Sequence, residues 1–362
     1  MRIFFIGVWL LLLSLTSTQL IARQPDFTID LESGIRRDSL KWSISAPKNC
    51  PKILSELEWK DLKIWQIQST FRAVVCKNVY FRGSADYGRI YHGHETDTDY
   101  LLKKRSKCCP SSSSSSFSSS SFSDSTSSSR SSSSFPSFST SSSSSSPCCS
   151  SSSASCCSDT SDHSKHAFAK SKAKSNKGEV FDLSGGVGWL FTFIGKRVTI
   201  APIIGYSHHE QHLRMNNLKV DFDFIDDISG SIPGLHSNYR ARWMGTWFGV
   251  DMTYDPCCHH IRFFGTFEYH LGRFHGTGHW NLRDDFVHDF KQHAWAHGYL
   301  ALGGIAWDFC RYWSVTMTGM CERWKSNHGK DRTFFREKTL KSRFNGAHWH
   351  TFQFMWSIEY RY

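Results

Sequence analysis

Hydrophobic side chains recur at every second position over long stretches of this chain. In HTFQFMWSIEYRY, residues 350–362, Phe352, Phe354, Trp356, Ile358, Tyr360 and Tyr362 share one parity. Thr351, Gln353, Met355, Ser357, Glu359 and Arg361 share the other. A period of two is the mark of a strand with one apolar and one polar face. VFDLSGGVGWLFTF sets Phe181, Leu183, Val187, Trp189, Phe191 and Phe193 against Asp182, Ser184, Gly186, Gly188 and Thr192. IRFFGTFEYHL and IWQIQSTFR repeat the pattern around Phe267 and Ile67. The alternation predicts strands over about 26–42, 57–75, 79–92, 179–194, 197–215, 238–254, 260–283, 291–309, 312–325 and 349–362. The fold class is therefore all-β.

Connections between these strands fall into two kinds. Tight links such as VVCKN, IGKR, DPCCHH and DFCRYW alternate with long polar ones. Short turns at one end and long loops at the other are the pattern of an antiparallel transmembrane barrel, with apolar side chains facing lipid and polar ones the lumen. A soluble sandwich or lipocalin-like barrel would show the same alternation. The turn asymmetry and the aromatic at position 362 favour the membrane. An even strand count puts both ends on the periplasmic side.

The first residues, MRIFFIGVWLLLLSLTSTQLIA, combine Arg2 with an apolar run too short to span a bilayer, and predict a signal peptide over 1–22. Residues 23–362 are then a single barrel. Serine dominates residues 107–162 and a lysine-rich stretch follows. Such composition cannot repay its ordering entropy, so 107–178 reads as one disordered insertion in the second outward loop.

The formal charge of +11 suits an anionic surface. An export signal points to lipid head groups and away from nucleic acid. Twelve Cys, several in doublets such as Cys108-Cys109 and Cys257-Cys258, suggest disulfides to other envelope proteins. Adjacent cysteines rarely bridge each other.

Several segments resemble the omptins, ten-stranded outer-membrane proteases. SELEWKDLKIW (55–65), EVFDLSGGVGWLF (179–191), APIIGYSHHEQHLRM, FDFIDDISGSIPG and WFGVDMTY occur in that family's order. The Cys-rich form with its serine loop is also similar to the Protochlamydia outer membrane protein family. The resemblance implies a bacterial outer-membrane location and contact with lipopolysaccharide. It further implies a catalytic pair of acid-rich motifs, Asp-x-Asp before an aromatic and Asp-x-His, holding a water between them. TDTDYL supplies Asp97, Asp99 and Tyr100 for the first. For the second, GTGHWNLRDDFVHDF offers His279 with Trp280 and Asn281, or Asp285 with His288, and no intact Asp-x-His. The i, i+3 spacing of Asp285 and His288 puts them on opposite faces of a strand.

Other constellations read as structural. CCHH at 257–260 lacks finger spacing, and His208, Glu210 and His212 fit a polar strand extension above the bilayer. No cofactor or metal is expected. Two functions stand: a surface-exposed barrel that is structural, adhesive or pore-related, and an omptin-type aspartic endopeptidase cutting near basic residues.

Overall fold

A computed structural model of the chain describes residues 26–46, 53–100, 167–195, 197–224, 227–256 and 260–362. The expected leader lies outside these residues, as do Cys257 and Cys258 and the serine-rich stretch 107–162.

The strands are β1 (Asp26–Ser45), β2 (Ser55–Val75), β3 (Val79–Tyr100), β4 (Ala167–Lys174), β5 (Glu179–Trp189), β6 (Phe191–Phe193), β7 (Val198–Arg214) and β8 (Asn216–Asp223). They continue as β9 (Gly230–Ile232), β10 (Asn238–Tyr254), β11 (Ile261–His279), β12 (Phe286–Asp308), β13 (Trp313–Ser326), β14 (Gly329–Phe335) and β15 (Thr339–Arg361). Ten of them, β1, β2, β3, β5, β7, β10, β11, β12, β13 and β15, pair in an antiparallel ring that leaves no free edge. β4, β8, β9 and β14 extend the wall at its outer end, and β6 continues β5 against β7. Closure is what makes a lipid-embedded sheet possible, because every backbone amide finds its partner within the wall.

The seam runs between β1 and β15, from Thr28 opposite Arg361 to Ser45 opposite Arg343. The last residue takes part: Tyr362 N donates to Phe27 O at 3.0 Å, and Phe27 N donates to Tyr362 O at 3.3 Å. Gly34 is required here, since a Cβ would collide with the Phe354 carbonyl and the Met355 backbone of the facing strand.

In the half of the barrel nearest the short turns, the alternation sorts side chains as expected. Leu31, Ile204, Trp356 and Ile358 project from the outer wall, while Asp30, Glu32, Gln353 and Glu359 are buried inside. The inner face carries a web of ion pairs. Arg36 grips Asp38 at 2.8 Å and Asp182 at 2.5 Å, Arg72 bonds Asp30 at 2.6 Å, and Arg262 pairs with Glu359.

The expectation of a polar lumen fails in the outer half. There Leu40, Trp42, Leu57, Trp59, Tyr239, Trp243, Phe274, Trp324 and Trp349 point inward and are buried. Trp243 packs on Phe274 at 4.5 Å between ring centres, and Trp59 stacks on Tyr239 at 5.1 Å. The exposed side of the same strands carries Arg37, Lys63, Arg89, Arg240 and Arg273. The inversion has a physical cause. Beyond the bilayer the outer wall meets water, so the hydrophobic effect drives apolar side chains into the lumen. The result is an aromatic plug.

The proposed disordered insertion, 107–178, is also too long at its C-terminal end. Ala167–Lys174 form β4, paired with β3 and β8.

Candidate functional site

The sequence-predicted acids sit at the outer end of β3, and a local irregularity aims them. In β3 the even positions point inward as far as Ile90; beyond His92 the buried residues are Gly93 and Glu95, which are odd. The partner strand shows the matching slip: the β2–β3 register shifts between Lys60 and Ile64, and Asp61 has φ of 54°. A bulge of this kind moves every later side chain to the other face. It turns Glu95, Asp97 and Asp99 toward the mouth of the barrel, above the plug.

Their surroundings favour retained protons. Glu95 stands opposite Trp59 and is 3% exposed; burial pushes its carboxyl up to about 8. Burial, then the charges of Asp99 and Glu95, hold Asp97 well above the usual carboxylate range, against a weak bond donated by Ser55 Oγ at 3.4 Å. Asp99 is raised chiefly by burial, with Ser55 and Arg283 pulling it down.

The opposing wall presents a cation. Arg283 forks onto Asp285 through two bonds of 2.8 Å, lies over the Phe286 ring at 4.4 Å, and its charge acts on both Asp97 and Asp99. Asp285 is thereby held below its usual range. Among described residues, its side-chain partner is Arg283 and not His288, which packs edge-on against Phe334 at 6.1 Å.

His279 does not join the acids. From Glu268 to Gly278 the even positions of β11 are buried in the lumen, whereas His279 is odd and exposed on the outer wall. Its Nδ1 lies 2.9 Å from Asp289 Oδ1. The two border a surface cleft of about 380 Å³ together with Trp280, Phe286, His288 and Lys291. Sequence reasoning missed Asp289, although it is the residue that reaches His279 across the β11–β12 ladder, where Gly278 faces Phe290. Asn281 is taken up elsewhere: its Oδ1 accepts from His236 N at 2.8 Å and Ser237 Oγ at 2.9 Å.

His208, Glu210 and His212 lie on the outer wall. Glu210 is paired with Arg240 at 3.2 Å, and His212 approaches Glu179 at 3.5 Å. Among described residues, no three His, Cys, Asp or Glu groups converge on a metal position. Nearby, His275 and His293 touch through their Nδ1 atoms at 2.7 Å; burial and the neighbouring cations, Arg242 among them, lower both.

Comparison with solved structures fits this architecture. The outer membrane protease OmpT from Escherichia coli matches with a TM-score of 0.66 at 11% identity, over 96% of this chain and 100% of that one. The translocator domain of the autotransporter NalP from Neisseria meningitidis matches at 8% identity with a TM-score of 0.34, over 99% and 96% of the two chains. No curated protein sequence matches. A closed antiparallel ring with an apolar outer belt and the OmpT backbone course has the omptin-like β-barrel fold. The Protochlamydia outer membrane protein family matches residues 30–126 and 150–362, and the chain belongs to that family.

Proposed function

We propose that this protein is a sealed, surface-exposed barrel with a structural or adhesive role, displaying its serine-rich insertion, and that the protease chemistry of omptins has been lost. The observation that carries this reading is the arrangement at the mouth. Asp97 and Asp99 face inward, Arg283 acts on them, and His279 points to the outer wall. A general base must come within hydrogen-bond reach of the water it activates. The aromatic plug argues in the same direction against a porin, since Trp59, Trp243 and Trp349 are fully buried where a channel would open.

The outer wall supports contact with anionic lipid head groups, lipopolysaccharide included, through Arg240, Arg242, Arg273 and Lys291. Cys76 and Cys310 are exposed free thiols at the end with the short turns, which supports cross-links to periplasmic envelope proteins. A non-reducing gel of native membranes, compared with a Cys76→Ser, Cys310→Ser variant, tests that contact.

The test of the main reading uses the full chain in lipid vesicles with a basic fluorogenic peptide. No turnover is expected. Turnover abolished by Asp97→Ala would establish the endopeptidase instead.

A further inference from the structure

Below the plug lies an internal cavity of about 90 Å³, with room for several water molecules. Five carboxyl groups line it, against two guanidinium and two imidazole groups. Most of these charges are already matched. Glu268 is bonded by Arg82 and approached by His270 at 3.0 Å. Glu322 accepts from Trp324 Nε1 at 2.7 Å and lies 3.6 Å from His209. Glu32 accepts from Thr70 at 3.0 Å. Asp182 is gripped by Arg36 and has His209 at 3.2 Å.

Asp86 is the exception. It is 5% exposed, its Oδ1 is buried without a hydrogen-bond partner, and it forms no ion pair with a described residue. It stands directly opposite Asp182 across the β3–β5 ladder, a like-charge pair that is unfavourable unless something intervenes. Arg36, whose charge reaches Asp86, directs its hydrogen bonds to Asp38 and Asp182. Beside the two acids, Ser84 and Ser184 also line the cavity, and the Ser184 hydroxyl has no partner among the described residues. A buried carboxylate beside a hydroxyl with no partner among the described residues, both on a polar cavity, offers oxygen donors to a positively charged occupant.

We infer that this corner of the lumen binds a hard divalent cation, with Asp86 as its principal ligand and Ser84, Ser184 and retained water completing an oxygen shell. Oxygen donors without thiolate select calcium or magnesium over softer metals. Because no three acidic, imidazole or thiol groups among the described residues converge on one point, the ion keeps part of its hydration. Its role is to neutralise the Asp86–Asp182 contact and brace β3 against β5.

The full-length protein, refolded in detergent and stripped with chelator, is the material for the test. Calcium is added, with choline chloride at matched ionic strength as the control. Retention of radioactive calcium near one ion per barrel is expected, with unfolding shifted up by roughly 3 °C or more. Asp86→Asn should lose both responses while melting no lower than the stripped wild type. The Asp97→Asn, Asp99→Asn variant should keep both, which excludes the outer acids as the site. Calcium-independent melting of the wild type, or an unchanged response in Asp86→Asn, overturns the inference in favour of water or a proton.

Discussion

His279 Nδ1 and Asp289 Oδ1 lie 2.9 Å apart on the outer wall of the barrel, on the face opposite to that of Asp97 and Asp99. An acid–imidazole pair is therefore present in the chain, but a parity of one residue removes it from the mouth. Both partners are about half exposed, a setting in which ion pairs contribute ~0–1 kcal/mol. His279→Ala should leave the unfolding midpoint nearly unchanged, and peptide hydrolysis at background before and after. A large loss of peptide turnover in this variant would contradict the assignment.

The plug makes a separate prediction. Trp243 is fully buried against Phe274, Trp324 and Trp349. Trp243→Ala should cost about 3–5 kcal/mol, read from denaturant unfolding in detergent. In planar bilayers the wild type should be electrically silent. Steady ohmic steps from the wild type would show that the plug does not seal.

Glu95 sets a pH dependence. Its folded carboxyl titrates at about 8 against an ordinary value of 4.5, so the folded state binds the proton more tightly than the unfolded chain. The contribution of Glu95 to stability is then fully present at low pH and is lost as pH rises from about 4.5 through 8, by roughly a few kcal/mol at most. Glu95→Gln should flatten that fall. An unchanged pH profile would mean that Glu95 is hydrated and ionised.

Arg36 holds two carboxylates at once, and it is fully enclosed with Asp38. Arg36→Met leaves Asp38 without its cation and Asp182 with His209 alone, and should destabilise the barrel by about 3–5 kcal/mol, more than an isosteric loss of packing would. The Arg36→Met, Asp38→Leu, Asp182→Leu triple variant should recover much of that loss when unfolding is compared across the set.

The closing strand can be tested by truncation. Residues 360–362 pair with the start of β1, and Arg361 bonds Asp308 at 3.0 Å. Deleting them opens the seam at the end with the short turns. Loss of the compact, heat-modifiable species on gels is expected; full assembly of the shortened chain would contradict a role for the terminus in closure.

Sequence alone determined the ring. Alternation in residues 350–362 assigned Trp356 and Ile358 to the lipid side and Gln353 and Glu359 to the lumen, and turn length separated the two ends of the barrel. These are local properties, fixed by the two-residue period of a strand and the bilayer's demand for an apolar belt. Tertiary structure decided what lies inside. Whether Trp59 faces lipid or packs on Tyr239 depends on the height of the bilayer along the strand, which the alternation does not encode. Whether Asp97 faces inward depends on the slip near Asp61 and His92. Whether His279 meets Asp97 depends on counting parity along a different strand. Each is a relation between segments distant in the chain, and only closing the ring brings them to one place.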